Sequence, residues 1–340
     1  MNKFRTVDLF CGGGGLSQGL QDAGFDVVAA YDWWQPAIDF YNQNIKGHQA
    51  YKQDLSNITD SIEKIQKWQP SVIVGGPPCQ DFSSAGKRDE NGGRASLTNA
   101  FAMIVSLIRP QMFIMENVDR ALKSETYKQA LDTFANAGYN LTVSILDASL
   151  CGVPQKRKRT VVVGTLKRTN VSLVDIYKQM QAERPMTVRD YLGDSLDIEY
   201  YYRHPRSYAR RGIFSIDEPS PTIRGVNRPI PKGYVGHPGD ATSISTTELR
   251  PLTTKERSLI QTFPKDWIMQ GNKSEIEQII GNAVPVKLAE FIGKAIIEAD
   301  KIDELVTSFT YNTMIDHHEP SKPVQQWFVF EQMAKYNKGK

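Results

Sequence analysis

Cys79 is the residue whose type and surroundings best suit chemistry. It follows Gly75-Gly76-Pro77-Pro78 and precedes the polar pair Gln80-Asp81. The β-branched run Val72-Ile73-Val74 predicts a buried strand, and the two prolines fix the backbone direction of the residue after them. A cysteine at the carboxyl end of a strand is a candidate nucleophile in its thiolate form. A lone cysteine is more often a buried structural residue, but the prolines and the polar sequel argue against an apolar pocket.

Glu116 and a basic run could assist such a thiolate. Glu116 ends the apolar run Met112-Phe113-Ile114-Met115, so it would stand at the mouth of a strand, where it could donate a proton. The run Gln155-Lys156-Arg157-Lys158-Arg159 leads into Val161-Val162-Val163. Alone, the basic run would be read as a solvated turn. Next to a strand it should instead aim alternate basic side chains at one surface.

Three successive strand ends offer groups that suit a nucleoside cofactor. The strand Thr6-Val7-Asp8-Leu9-Phe10 leads through Cys11-Gly12-Gly13-Gly14-Gly15 into a helical pattern, which is how a Rossmann-like unit begins. Asp32 follows the glycines by about 20 positions, where a ribose would be held. Trp33 could lie against an adenine, although core packing is the other interpretation. Asp54 could accept a hydrogen bond from an amino group.

Length and composition limit the kind of protein. A chain of 340 residues can hold one large domain or two unequal ones. Its three cysteines form neither a disulfide framework nor a metal-ligand pairing, which fits a reducing cytosol. No apolar run approaches the roughly 18 residues of a membrane span, and residues 1–4 lead into a strand rather than a signal peptide. We therefore expect a cytoplasmic protein with no metal and no membrane partner.

The middle of the chain is its basic part. Residues 151–250 carry 17 Lys and Arg against 10 Asp and Glu, and seven of these cations fall between Arg203 and Lys232. A solvated face is the plain explanation, but this density favours a polyanion partner. From about residue 188 to 249 helical periodicity also fades, and Pro, Gly, Arg, Tyr and Ser dominate. This composition predicts a small loop-rich module inserted in an α/β protein.

In their order along the chain, these segments resemble the bacterial cytosine-5 DNA methyltransferases of restriction–modification type. The resemblance extends from Asp8 to about Ala299. It rests on six short segments in the family's order: Asp8-Leu9-Phe10-Cys11-Gly12-Gly13-Gly14-Gly15, Gly76-Pro77-Pro78-Cys79-Gln80, Glu116-Asn117-Val118, Gln155-Lys156-Arg157-Lys158-Arg159, Arg250-Pro251-Leu252-Thr253 and Gly281-Asn282-Ala283-Val284-Pro285.

The resemblance implies an α/β fold with two parts. Residues 1–187 and 280–340 would form a Rossmann-like S-adenosylmethionine-dependent methyltransferase domain, and residues 188–279 a small irregular target-recognition domain, in which Thr222-Ile223 resembles the family's Thr-Leu element. The target cytosine would be contacted by Cys79, Glu116, Arg157 and Arg159, with Arg157 supporting the loop. The cofactor contacts implied by position are Phe10, Gly12, Gly14, Asp32, Trp33, Asp54, Leu55, Pro78 and Asn282.

The implied reaction explains why these residue types occur together. Cys79 would attack carbon 6 of a flipped-out cytosine while Glu116 engages ring nitrogen 3, so that carbon 5 can take the methyl group of S-adenosylmethionine and leave S-adenosylhomocysteine. Arg159 would hold the carbonyl oxygen of the base. The loop at about residues 80–97 would close over the site, with Lys87, Arg88 and Arg94 meeting phosphates.

The implied partners are double-stranded DNA and a cognate restriction endonuclease that acts on the same site. The protein would be a monomer of the bacterial cytoplasm, associated with the nucleoid. Three alternatives stay open at this point: a tRNA cytosine-5 methyltransferase, a catalytically silent DNA-binding regulator of the same fold, and a nicotinamide-dependent oxidoreductase with a reactive thiol.

Overall fold

The structure is a computed structural model of the chain. It describes residues 4–78, 97–169, 171–205, 207, 209–245 and 249–316, with side chains up to residue 307. Cys79 and the following loop therefore lie outside the described residues, as does Arg206. Within the described part, none of the helices is long and apolar enough to span a bilayer.

A seven-stranded sheet in the order β3-β2-β1-β4-β5-β8-β6 forms the centre of the molecule. The first five strands in that order run parallel, whereas β8 is antiparallel to both of its neighbours. The strands are β1 (Arg5–Leu9), β2 (Asp26–Asp32), β3 (Ala50–Lys52), β4 (Val72–Gly75), β5 (Met112–Val118), β6 (Asn140–Asp147), β7 (Gln155–Lys156), β8 (Lys158–Thr165), β9 (Tyr200–Tyr202), β10 (Ile213–Ser215) and β11 (Ser220–Pro221).

Helices cover both faces of this sheet. They are α1 (Gly15–Ala23), α2 (Gln35–Asn44), α3 (Ile58–Gln66), α4 (Leu97–Ile108), α5 (Glu125–Asn136), α6 (Leu173–Met180), α7 (Val188–Leu192), α8 (Thr254–Ile260), α9 (Lys273–Asn282) and α10 (Val286–Asp316). A short 3₁₀ helix, Asp119–Lys123, follows β5.

The alternating side chains of the strands explain the two layers. On β4, Val72 and Val74 pack in a cluster with α1, α6 and α10, whereas Ile73 packs in the opposite cluster with α3, α4 and α5. A strand that is buried on both faces must be apolar throughout. The β-branched runs of the sequence are therefore the interior strands, as expected.

The end of the chain closes the first face. Gly19 of α1 lies so close to α10 that an added Cβ would stand 2.2 Å from the carbonyl oxygen of Val286. The sequence predicted a final helix that begins at the Gly281 segment and runs to Ala299. In the structure that segment ends α9, and α10 begins after Pro285 and continues to Asp316.

Residues 188–279 contain short elements and loops. β9 and β10 form a two-stranded antiparallel sheet, and β11 pairs in parallel with β7. Buried residues of this region, among them Tyr201 and Ile223, share one apolar cluster with α2, and α8 and α9 contribute to the same cluster. The expected boundary at 187/188 coincides with the start of α7, and α9 runs through the expected boundary at 279/280. These boundaries stay a prediction.

Candidate functional site

The carboxyl ends of the parallel strands bring most of the expected site residues to one edge of the sheet. β1 leads to Phe10 and the glycine loop, β2 to Asp32 and Trp33, and β4 to Pro77-Pro78. Glu116 lies near the end of β5, where Val118, two residues further on, pairs with Arg159 of the antiparallel β8. This edge is where α/β proteins of this kind bind their ligands.

Asp32 organises the glycine loop. Its Oδ2 accepts a hydrogen bond from the backbone N–H of Gly12 at 2.8 Å, and its Oδ1 accepts one from Trp34 at 2.9 Å. Phe10 and Gly12 have φ of 58° and 52°, and a Cβ on Gly12 would have no neighbour within 4 Å. The loop therefore leaves open space above Gly12. Burial raises the pKa of Asp32, and each of its oxygens keeps a lone pair for a further donor such as a ribose hydroxyl.

Trp33 is exposed, with 63% of its surface accessible. The Nζ of Lys52 lies 5.3 Å from the centroid of the indole ring, and among the described residues no other side chain is found stacked on it. Core packing, the plain interpretation from sequence, is therefore wrong for Trp33. Its ring can receive a planar ligand beside the glycine loop.

The two residues expected after β3 are placed differently. Leu55 is buried in the core at 2% exposure, so that only its backbone can face a ligand. Asp54 is exposed, and its Oδ1 accepts hydrogen bonds from the N–H and the hydroxyl of Ser56. Pro78 and Asn282 are also exposed.

A buried chain of polar groups supports the loop from below, and sequence reasoning missed it. The hydroxyl of Ser17 donates to Oδ2 of Asp8 at 2.6 Å, and Tyr41 donates to Ser17 at 2.8 Å. The Tyr41 hydroxyl also contacts Nε2 of His48 at 2.5 Å. Burial, with a smaller contribution from the nearby carboxylate of Asp32, raises the pKa of Asp8 to about 7. Tyr41 touches the loop directly, because a Cβ on Gly14 would lie 2.9 Å from its ring.

Glu116 and Arg159 form an ion pair at the end of β5. Oε1 of Glu116 lies 2.8 Å from Nε of Arg159, and both side chains are about nine-tenths buried. The neighbouring Asn117 donates its side-chain N–H to the carbonyl oxygen of Pro77 at 2.9 Å. Glu116 is thereby held beside the Pro77-Pro78 turn, which leads to Cys79. A carboxyl group and a guanidinium side by side suit a ligand with adjacent ring nitrogen and carbonyl groups.

The side chains of the basic run alternate between the interior and the surface, as expected. Arg157 is one of the interior side chains. It is 3% exposed and donates to the carbonyl oxygens of Ile223 at 3.2 Å, Gly281 at 3.3 Å and Ala283 at 3.0 Å. Lys156 and Lys158 are exposed. This position of Arg157 agrees with a supporting role for its side chain.

Several arginines between residues 203 and 232 bind carbonyl or carboxylate oxygens of the same stretch. Arg203 donates to the carbonyl oxygen of Thr222 at 2.9 Å, Arg224 donates to that of His204, and Arg211 pairs with Glu218. The exposed cations without a carboxylate partner in the described part of this stretch are Arg210, Arg228 and Lys232. Among all the residues that the structure describes, no three His, Cys, Asp or Glu side chains lie close enough together to hold a metal ion.

Comparison with known proteins gives one family. The model of the C-5 cytosine-specific DNA methylases matches residues 4–298. The Type II methyltransferase M.HindV of Haemophilus influenzae is 54% identical over 297 residues, which cover 87% of this chain and 97% of that protein. The Type II methyltransferase M.HgiDI of Herpetosiphon aurantiacus is 56% identical over 292 residues, which cover 86% of this chain and 94% of that protein.

Solved structures share the fold. A DNA modification methyltransferase encoded within an Escherichia coli prophage superimposes with a TM-score of 0.65 at 23% identity, over 88% of this chain and 99% of that one. The Dnmt2 methyltransferase of S. pombe gives a TM-score of 0.65 at 19% identity, over 87% and 98%. At these identities the likeness confirms the expected Rossmann-like α/β class.

Proposed function

Because the chain belongs to the C-5 cytosine-specific DNA methylase family, we propose that it methylates carbon 5 of a flipped-out cytosine in a specific duplex sequence, through the residues gathered at the sheet edge. The observation that carries this assignment of residues is the buried Glu116–Arg159 pair, which Asn117 ties to the turn before Cys79. The biological setting that fits is a restriction–modification system, because relatives more than half identical to this chain are Type II methyltransferases.

The chemistry assigns one task to each group. Carbon 5 of cytosine is a poor nucleophile until the Cys79 thiolate adds to carbon 6 and Glu116 hydrogen-bonds or protonates ring nitrogen 3. Arg159 holds the carbonyl oxygen of the ring and keeps Glu116 in place. When the carbon 5 proton leaves, the bond to Cys79 breaks and the ring is restored. Arg157 is the positioning residue of this set, since its guanidinium is bound to three backbone carbonyls.

The cofactor edge fits S-adenosylmethionine, which supplies an electrophilic methyl group on its sulfonium. The open space above Gly12 leaves room for the cofactor to approach the backbone of the glycine loop. The exposed ring of Trp33 would stack on the adenine. Asp32, which lies between Gly12 and Trp33, would accept hydrogen bonds from the ribose hydroxyls. Gly14, Phe10, Asp54, the backbone of Leu55, Pro78 and Asn282 would complete the site.

The test is covalent trapping on duplex DNA. A duplex with 5-fluorocytosine at the target should hold the protein on a denaturing gel, because fluorine cannot leave as a proton does. The target itself is mapped first by bisulfite sequencing of plasmid DNA from cells that express the chain. Cys79→Ser should abolish both the adduct and methylation. Cys151→Ser is the matched control, because that thiol is buried and burial raises its pKa to about 12.

The same assay separates the alternatives. Methylation of duplex DNA but not of tRNA supports the DNA substrate, and the reverse result would assign the tRNA reaction. A wild-type protein that binds DNA but never methylates it would be the silent regulator. Family membership excludes the nicotinamide-dependent oxidoreductase.

The remaining partners belong to this proposal. A cognate restriction endonuclease would cut the same unmodified sequence, and the methyltransferase would act as a monomer in the bacterial cytoplasm, near the nucleoid. The exposed cations Arg210, Arg228 and Lys232 favour DNA as the polyanion that the sequence predicted. Residues 188–279 would be the target-recognition part.

A further inference from the structure

A buried ion pair joins α8 to α9 and is not accounted for by the chemistry above. Nε of Arg257 lies 3.1 Å from Oε2 of Glu277, and the two side chains are only 5% and 4% exposed. The N–H is not well aligned on that oxygen, so that the contact is mainly electrostatic. Burying two charges costs hydration that the pair recovers only in part. Such a pair therefore needs a reason beyond stability.

Both side chains also make hydrogen bonds to residues 222–228, which we name the recognition segment. Arg257 donates through Nη2 to the carbonyl oxygen of Arg224. Oε1 of Glu277 accepts from the side-chain N–H of Asn227 at 3.4 Å and from the hydroxyl of Thr254 at 2.7 Å. Asn227 also donates to the carbonyl oxygen of Leu252 at 2.8 Å. The ion pair therefore makes hydrogen bonds to the recognition segment at two residues, Arg224 and Asn227.

The start of the recognition segment is fixed from the opposite side. The N–H of Ile223 donates to Oε1 of Gln155 at 2.9 Å, and its carbonyl oxygen accepts from Arg157 at 3.2 Å. The backbone of Gly225 packs on α9, because a Cβ on Gly281 would lie 2.1 Å from its nitrogen. Apart from Asn227, these contacts hold backbone atoms. They set the position of the segment without using the side chains that face solvent.

The exposed side chains of the segment alternate with its anchors. Val226 is 59% exposed and Arg228 is exposed, whereas Asn227 between them is held by Glu277 and Leu252. Arg228 has no carboxylate partner among the residues that the structure describes. An apolar group and a free guanidinium on a fixed backbone can contact a thymine methyl group and a guanine edge.

We propose that the Arg257–Glu277 pair positions the recognition segment, and so determines how well the enzyme discriminates between target sequences, without touching DNA. The inference rests on the proposed function. A planar guanidinium and a carboxylate each present two groups at fixed angles, which apolar side chains cannot do. Because the pair joins α8 and α9 to the recognition segment, it fixes the positions of Val226 and Arg228 relative to these helices.

The test separates positioning from stability. The variants are Glu277→Gln, Asn227→Ala and the apolar double variant Arg257→Met/Glu277→Leu. For each, kcat/KM is measured on the mapped target duplex and on duplexes with one base pair changed, together with the melting temperature and the Kd of S-adenosylhomocysteine. Asn227→Ala is included because it leaves the buried charges paired and should fold normally. Arg184→Gln is the matched control, since its ion pair with Asp190 is exposed.

The expected result is a loss of discrimination of about tenfold, comparable with one good base contact, in all three variants. The Kd of S-adenosylhomocysteine should not change, and the double variant should melt no lower than Glu277→Gln because it leaves no unpaired buried charge. Arg184→Gln should behave as wild type.

Two results would overturn the inference. One is unchanged discrimination in both Glu277→Gln and Asn227→Ala. The other is a double variant that melts normally and discriminates as well as wild type, which would show that the pair only stabilises the fold. A wild-type protein that methylates no duplex at all would instead refute the proposed function, so the two failures are distinguishable.

Discussion

Trp33 combines a large apolar side chain with a position at the ligand-binding edge of the sheet. A tryptophan that is 63% exposed without a function would be a liability to solubility. We predict that Trp33→Ala weakens binding of S-adenosylhomocysteine by about fivefold or more, because stacking on an aromatic ring contributes roughly 1 kcal/mol. The melting temperature should stay unchanged, since little is packed against the ring.

Isothermal titration calorimetry measures this effect. Leu107→Ala is the matched control, because Leu107 is 59% exposed on α4. Equal affinity in Trp33→Ala and wild type would remove Trp33 from the cofactor site. Altered target preference in Trp33→Ala would show that cofactor and DNA contacts are not separated as proposed.

Single residues also show where sequence reasoning stops. Asp32, Glu116 and Arg159 were predictable because each lies at one end of an apolar run, and strand ends collect at one edge. Asp8 and Arg257 were not predictable as buried charges. Asp8 sits inside a strand-like run, and Arg257 sits in a polar helical pattern that is typical of a solvated face. Their partners are distant in the sequence, so only the fold reveals the contacts.

Along the basic run, which spans β7 and the start of β8, neighbouring cations point in opposite directions and have different roles. We predict that Lys158→Ala lowers DNA affinity equally for specific and random duplexes and reduces the salt slope by about 0.9, the value of one phosphate contact. Arg157→Ala should instead lower the melting temperature, because it removes a donor from three buried carbonyl groups, of which that of Ala283 alone keeps a second donor in the side chain of Gln261. Fluorescence anisotropy against salt and thermal unfolding measure the two effects. If the salt dependence of DNA affinity were unchanged in Lys158→Ala, Lys158 would not contact a DNA phosphate.

The packing of β1 against α1 makes stability depend on pH through Asp8. Its pKa is raised from 3.8 to about 7 in the folded chain, so between these values the folded state holds a proton that the unfolded state has lost. The contribution of Asp8 to the free energy of unfolding is therefore highest below the pKa that Asp8 has in the unfolded chain, and it falls as the pH rises towards 7. Asp8→Asn should abolish that fall.

The difference between variant and wild type isolates this effect from other titrating groups. From about pH 5 to about pH 8, Asp8→Asn should gain about 2–3 kcal/mol of unfolding free energy relative to wild type, at about 1.4 kcal/mol per pKa unit. Urea unfolding at the two pH values gives the measurement. A constant difference would mean that Asp8 is ionised throughout. Burial of His48 lowers its pKa to about 4, so it stays neutral over this range.

At the scale of the whole molecule, residues 188–279 approach the rest of the chain backbone to backbone at Gly225 and Gly281. We predict that Gly281→Ala lowers the melting temperature by several degrees, because its Cβ would stand 2.1 Å from the nitrogen of Gly225 and overpacking of this kind costs about 1–3 kcal/mol. Discrimination between targets should fall with it. Gly233→Ala is the matched control, since a Cβ there meets nothing within 4 Å. Similar melting of the two variants would show that the contact between Gly281 and Gly225 can relax without loss of stability.

The sequence predicted the layers of the molecule better than the contacts between its parts. Apolar runs and glycine loops are local signals, and they placed the strands of the sheet and the edge that carries the site. The docking of residues 188–279 depends on side chains such as Gln155 and Gln261, both fully buried, whose amides join at 2.7 Å across more than a hundred positions. No local pattern marks a glutamine for such a contact.

The packing of α10 on α1 also determines when, during translation, the enzyme can exist. The apolar side of α1 is covered by Leu288, Ala289 and Ile292, which the ribosome adds long after α1 itself. Until then one face of the sheet stays open, and the growing chain must be kept from aggregating. A product interrupted before residue 284 lacks this cover, so it would be a target for proteases rather than a weaker methyltransferase. In a cell, we therefore expect DNA modification only from chains that have been translated beyond the first turns of α10.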